Sequence, residues 1–105
     1  MAWLYLVIAG LFEIVWAIGL KYTEGFTRLW PSVWTLSGMI ASIGFLAQAL
    51  KTIPLGTGYV VWTGIGAVGT LTMGVLLFGE ALNPMKIAGI VLVMIGIVAL
   101  KLAPA

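Results

Sequence analysis

Four apolar runs, each close to the thickness of a bilayer, make up almost the whole chain, and charge is nearly confined to their ends. The charged residues are Glu13, Lys21, Glu24, Arg28, Lys51, Glu80, Lys86 and Lys101, and all but Glu13 and Lys86 mark the ends of apolar runs. As a helix, Ala2–Leu20 reaches about 28 Å, which suits a hydrocarbon core of about 30 Å. A second span is expected over 31–50, with Pro31 suited to its first turn. A third is expected over 58–78, after a loop that contains Pro54. Only 14 residues, Ile87–Leu100, separate Lys86 from Lys101. Both lysines can bury their stems and carry their ammonium groups outward, so the fourth span is read as 84–102. The expectation is an all-α membrane protein with four transmembrane helices in one domain, 1–105.

Composition supports lipid as the solvent. The chain is 63% hydrophobic and 8% charged, whereas a soluble domain carries about 25% charged residues. There is no cysteine and no histidine. Disulfide frameworks, zinc sites and Cys or His nucleophiles are therefore excluded. No phosphate loop or metal set points to an enzyme or a cofactor. The net charge of +2 is small and scattered, so a nucleic-acid partner is not expected. The first run has no Lys or Arg ahead of it and is interrupted by Glu13, which does not fit a signal peptide.

Four spans with short loops place both termini on one side, with Lys51 and Lys101. Lys21, Arg28 and Lys86 fall on the other. A strong orientation needs a clear Lys/Arg bias, and this chain has almost none. Insertion both ways round is expected, and two oppositely inserted copies would supply the inverted halves on which larger transporters rely.

Glu13 carries the chemistry. It lies about 18 Å along the first helix, too deep for a short side chain to reach water. A charge at the bilayer centre costs about 2.5–3.5 kcal/mol on insertion scales. No Lys, Arg or His inside an apolar run can neutralise it. It can be neutral with a proton or charged beside a cation from outside, and those are the two states of an exchanger. Glu24 and Glu80 fall in polar turns and read as solvated loop charge.

Aromatic residues near the span ends, among them Trp3, Tyr22 and Trp34, read as interfacial anchors. Trp16 is three residues from Glu13, and Tyr59 and Trp62 share that spacing on the third span. Aromatic faces and indole or hydroxyl donors suit a cation held by a carboxylate. Ser42 offers a hydroxyl on the second span, read from its residue type alone as a helix-contact group. Gly10 and Ala17 leave space beside Glu13. Gly64, Gly66 and Gly69 crowd the third span, consistent with a bending element or with close packing. Gly89 and Gly96, seven apart, fit a helix–helix seam between two copies.

With these residues laid out, the chain resembles the small multidrug resistance family over essentially its full length. The resemblance rests on the length, the four spans and the lone Glu in the first. It also rests on Lys21–Tyr22–Thr23–Glu24–Gly25–Phe26–Thr27–Arg28 and Tyr59–Val60–Val61–Trp62–Thr63–Gly64–Ile65–Gly66. The stretches Gly10–Leu11–Phe12–Glu13–Ile14–Val15–Trp16–Ala17 and Trp62–Thr63–Gly64–Ile65–Gly66–Ala67–Val68–Gly69 look most like its guanidinium-exporter branch. The resemblance implies an antiparallel, dual-topology homodimer in the bacterial inner membrane, exchanging protons for guanidinium-type cations with no cofactor. It implies Glu13 as the shared proton and substrate ligand, with Gly10, Trp16, Ser42, Tyr59 and Trp62 around it. It implies a hinge at Gly64 and Gly66 and a dimer seam at Gly89 and Gly96.

Guanidinium is planar, permanently charged and rich in fork-like donors, which two carboxylates can accept in bidentate fashion. Two Glu13 side chains close together would repel, so their titration belongs to the pair. Two positions depart from the pattern. Gly58 stands where the family commonly has Ala. Gly44 is expected to remove bulk one turn from the site, loosening a lateral opening for cations with apolar tails. Two other readings remain at this point: a quaternary-ammonium efflux pump of the same family, and a non-transporting membrane subunit.

Overall fold

The computed structural model describes residues 1–104. It contains four α-helices: α1 (Ala2–Tyr22), α2 (Leu29–Ala49), α3 (Leu55–Phe78) and α4 (Pro84–Leu102). All four are long and apolar enough to cross a membrane. In hydrocarbon the backbone must satisfy its own hydrogen bonds, and an α-helix does so within one segment. α3 starts three residues before the expected Gly58. Pro54 stands at its N-cap, where the missing N–H costs nothing.

The helix ends are fixed by local chemistry. Thr23, 1% exposed, closes α1, and its hydroxyl donates to the Leu20 carbonyl at 2.8 Å. α3 stops at Gly79, which takes the left-handed conformation at φ 66°, a conformation that only glycine adopts freely. Asn83 caps α4 by accepting from the Lys86 amide at 2.9 Å, and Pro84 follows at the first turn. Lys86 folds outward, as its long stem allows, and its Nζ donates to the Ala81 carbonyl at 2.6 Å.

α1 is the central helix and packs on both α2 and α3. α4 rests on α3 and has no buried residue. The buried apolar cluster is Leu6, Ala9, Leu46, Ala49, Ile53 and Val61, toward the end that carries both termini. Phe12 stacks on Phe45 across the α1–α2 seam, with ring centroids 5.8 Å apart. At the opposite end Tyr22 lies against both Trp34 and Phe78. The molecule measures 44 × 34 × 17 Å. Its thinnest dimension is less than two helix diameters of about 10–12 Å. It is a slab, with most large apolar side chains of α4 exposed.

Candidate functional site

Glu13 lies on α1 where that helix faces α3. Gly66 of α3 is what makes room for it. A methyl group at Gly66 would lie 2.8 Å from Glu13 Cγ and closer still to its carboxyl carbon. Gly69, one turn on, leaves space for Ile14, and Gly10 does the same for Ile65. The α1–α3 seam is therefore a ladder of glycines, each facing a side chain of the other helix. Such close approach strengthens packing in lipid, where no hydrophobic force drives helices together.

The Glu13 carboxylate is half-built into this seam. Its Oε2 is buried and has no hydrogen-bond partner among the described residues. Trp16 Nε1, one turn away, is likewise buried and unpartnered. Trp16 is held by close packing on Gly38, where an added methyl would lie 3.1 Å from Trp16 Cβ. Buried polar atoms are rarely left without partners, and the exceptions call for an explanation.

Ser42 and Trp62 are brought together, but not directly onto the carboxylate. Trp62 Nε1 donates to Ser42 Oγ at 2.9 Å, and Ser42 Oγ donates to the Ala9 carbonyl at 2.7 Å. Ala9 lies four residues before Glu13, so its carbonyl is also the helical acceptor for the Glu13 amide. The relay thus joins α3, α2 and α1 at the turn from which Glu13 projects. Ser42 is 0% exposed, and the three-helix contact depends on this hydroxyl being satisfied at both ends. Tyr59 packs on Trp62, with centroids 5.6 Å apart, but is itself 54% exposed on the α3–α4 side.

The remaining expected positions separate. Gly64 faces α4: a methyl there would lie 3.0 Å from Ile97 Cδ1 and 3.2 Å from Val93 Cγ1. α3 runs as one continuous helix through Gly64 and Gly66, and both glycines have a close neighbour that accounts for them. Gly89 and Gly96 lie exposed on α4 with open space around them. Gly44 does not lie beside Ser42. Two residues apart on a helix is about 200° of rotation, and Gly44 is exposed with nothing within 4 Å of an added methyl. In the single chain it widens no opening at Glu13. Gly58 is buried, and a methyl there would meet the end of the Leu50 side chain.

The sequence reading did not find three of these contacts: the Ala9 carbonyl as an acceptor, Gly66 as the cradle of the carboxylate, and Thr35, which is 0% exposed with its hydroxyl against Gly19. Only Gly66 carried a signal, as one of several glycines in a cluster.

The family model for the Small Multidrug Resistance protein matches residues 1–93, which include Glu13, the relay and the glycine ladder. The chain belongs to the small multidrug resistance family. Among its relatives in that family, the guanidinium exporter of Escherichia coli strain K12 is 57% identical over 103 residues, covering 98% of each chain. The guanidinium exporter of Proteus vulgaris is 54% identical over 103 residues, covering 98% of this chain and 99% of its own. That of Salmonella typhimurium is 55% identical over the same length. The small multidrug resistance proteins are transporters, so this chain is a multi-pass membrane transporter and not an enzyme.

Proposed function

We propose that the chain exports guanidinium and small guanidinyl cations across the bacterial inner membrane in exchange for protons, as an antiparallel homodimer. The observation that carries this reading is the Glu13 carboxylate: set at mid-span, seated on Gly66, with a buried oxygen that no group among the described residues satisfies. A proton or a donor-rich cation supplies what that oxygen lacks. Occupancy by one excludes the other, because both use the same atoms. The names of the relatives support guanidinium as the cation.

Trp16, Ser42, Tyr59 and Trp62 form the surroundings in this reading. Trp16 brings a free indole donor. The Trp62–Ser42–Ala9 relay fixes the turn of α1 that carries Glu13. Gly10 keeps α1 close to α3. The thin single chain supports dimerisation, since a slab of 17 Å cannot wrap a cation from all sides. The near balance of basic residues between the two ends supports opposite insertion of the two copies. The open glycines Gly89 and Gly96 are proposed as the seam between copies, and Gly64 and Gly66 as the segment of α3 that yields during exchange.

The test is proton-coupled flux in liposomes containing only this protein, with guanidinium and tetraethylammonium in parallel. Guanidinium flux that vanishes in Glu13→Gln is the expected result. Flux of tetraethylammonium alone would move the chain to quaternary-ammonium efflux. No flux of either would favour a subunit that needs a partner.

A further inference from the structure

At the end of the molecule that carries both termini, a cavity of about 270 Å³ opens between the ends of α1 and α4 and the loop leading into α3. Unlike the apolar groove of about 620 Å³ between α3 and α4, it mixes polar and apolar walls. Its lining includes Lys101, the hydroxyl-bearing Thr52 and Thr57, and the ring of Trp3. The Lys101 ammonium lies 5.0 Å from the Trp3 ring centroid, over its face. That contact, worth about 0.5–1 kcal/mol at an exposed site, favours a position of the charge at the cavity. The Thr52 and Thr57 hydroxyls make no hydrogen bond within the chain among the described residues.

We propose that this cavity binds a phosphate group, presented by an acidic phospholipid at the membrane boundary. An ammonium at the cavity and two hydroxyls that make no bond among the described residues form a donor set that matches phosphate oxygens. Ile53 and Leu100 complete the wall with apolar surface, which suits the glycerol and upper acyl region of a lipid. The position fits as well: Ala2 and Leu102 are helix ends, where headgroups lie. Occupancy has a structural consequence. α4 has no buried residue, and a phosphate bridging Lys101 to Thr52 and Thr57 would tie its last turn to the α2–α3 loop and the first turn of α3.

The experiment titrates the purified full chain in neutral detergent with three probes: short-chain phosphatidylglycerol, short-chain phosphatidylcholine and inorganic phosphate. Binding is read from the melting temperature and from tryptophan emission. Saturable binding of phosphatidylglycerol is expected, weakened about fivefold or more in Lys101→Gln, a loss typical of one basic residue at a lipid surface. Thr57→Val is expected to weaken it too. Lys51→Gln, which removes an exposed charge from the same end but not from the cavity, is expected to leave it unchanged. Competition by inorganic phosphate at comparable concentration would support the phosphate site and make a soluble ion its ligand; weak competition would support the lipid. Equal losses in Lys51→Gln and Lys101→Gln would overturn the proposal, since diffuse surface charge explains them. So would phosphatidylcholine binding as tightly as phosphatidylglycerol, or no saturation.

Discussion

Replacing Gly66 by alanine separates folding from cation binding in a way the structure lets one calculate. The new methyl would stand 2.8 Å from Glu13 Cγ, whereas ordinary van der Waals contact begins near 3.4 Å, and the carboxyl carbon lies nearer still. Relief requires the carboxylate to move by about 1 Å, and displacement of that size from a working geometry can cost about 100-fold. The atoms in the way are the far end of a flexible side chain, so the backbone need not shift. Alanine also favours helix over glycine by about 0.8–1 kcal/mol, which offsets the crowding. The expected outcome is therefore a folded protein, with a melting temperature close to that of the parent, whose equilibrium affinity for guanidinium falls at least about tenfold. Isothermal titration in detergent, with melting curves alongside, measures both quantities. Gly64→Ala is the control, since its methyl meets only Ile97 and Val93 of α4. Unchanged affinity in Gly66→Ala would refute the cradle. If affinity held and only the flux fell, Gly66 would act as a hinge instead.

Glu13→Gln is expected to abolish proton-coupled flux without lowering thermal stability, because Glu13 Oε2 has no bond among the described residues to lose; a fall in melting temperature would reveal a structural role. Ser42→Ala is expected to destabilise by about 1–3 kcal/mol, because it leaves the part-buried Trp62 Nε1 without its acceptor. A double-mutant cycle with Trp62→Phe, read by denaturation in detergent, should show that the two losses do not add. Gly19→Ala drives a methyl into the Thr35 hydroxyl and is expected to loosen the α1–α2 seam, with partial recovery when combined with Thr35→Ala; melting of the four variants decides this. In Gly58→Ala the only close clash is with the end of the flexible Leu50 side chain, Ile53 lying at ordinary contact distance, and the melting temperature is expected to stay within a few degrees of the parent's.

How far the sequence went depends on the kind of signal. α4 runs Pro84–Leu102, and Asn83, Pro84 and the flanking lysines are the local markers of its ends. The start of α3 was less legible. Pro54 permits a helix to begin directly after it, and the glycines beyond do not reveal that the helix already runs through them. Glu13 stood out from its depth alone. Its neighbours did not, because spacing within one span says which residues share a face and nothing about what faces them. Gly44 shows this limit: the sequence put it one turn from the site, and helical rotation sets it on the exposed side of α2.

The sequence by itself determined the solvent, the helices and the one charge that lipid cannot ignore, since each follows from the cost of placing polar groups in hydrocarbon. Tertiary structure alone decided that Gly66 cradles the carboxylate, that Trp62 reaches Ser42, and that Ser42 in turn holds the Ala9 carbonyl. Those contacts join three helices that are distant in sequence. Their register is set by how glycines and bulky side chains interlock across the seams, and no single span carries that information.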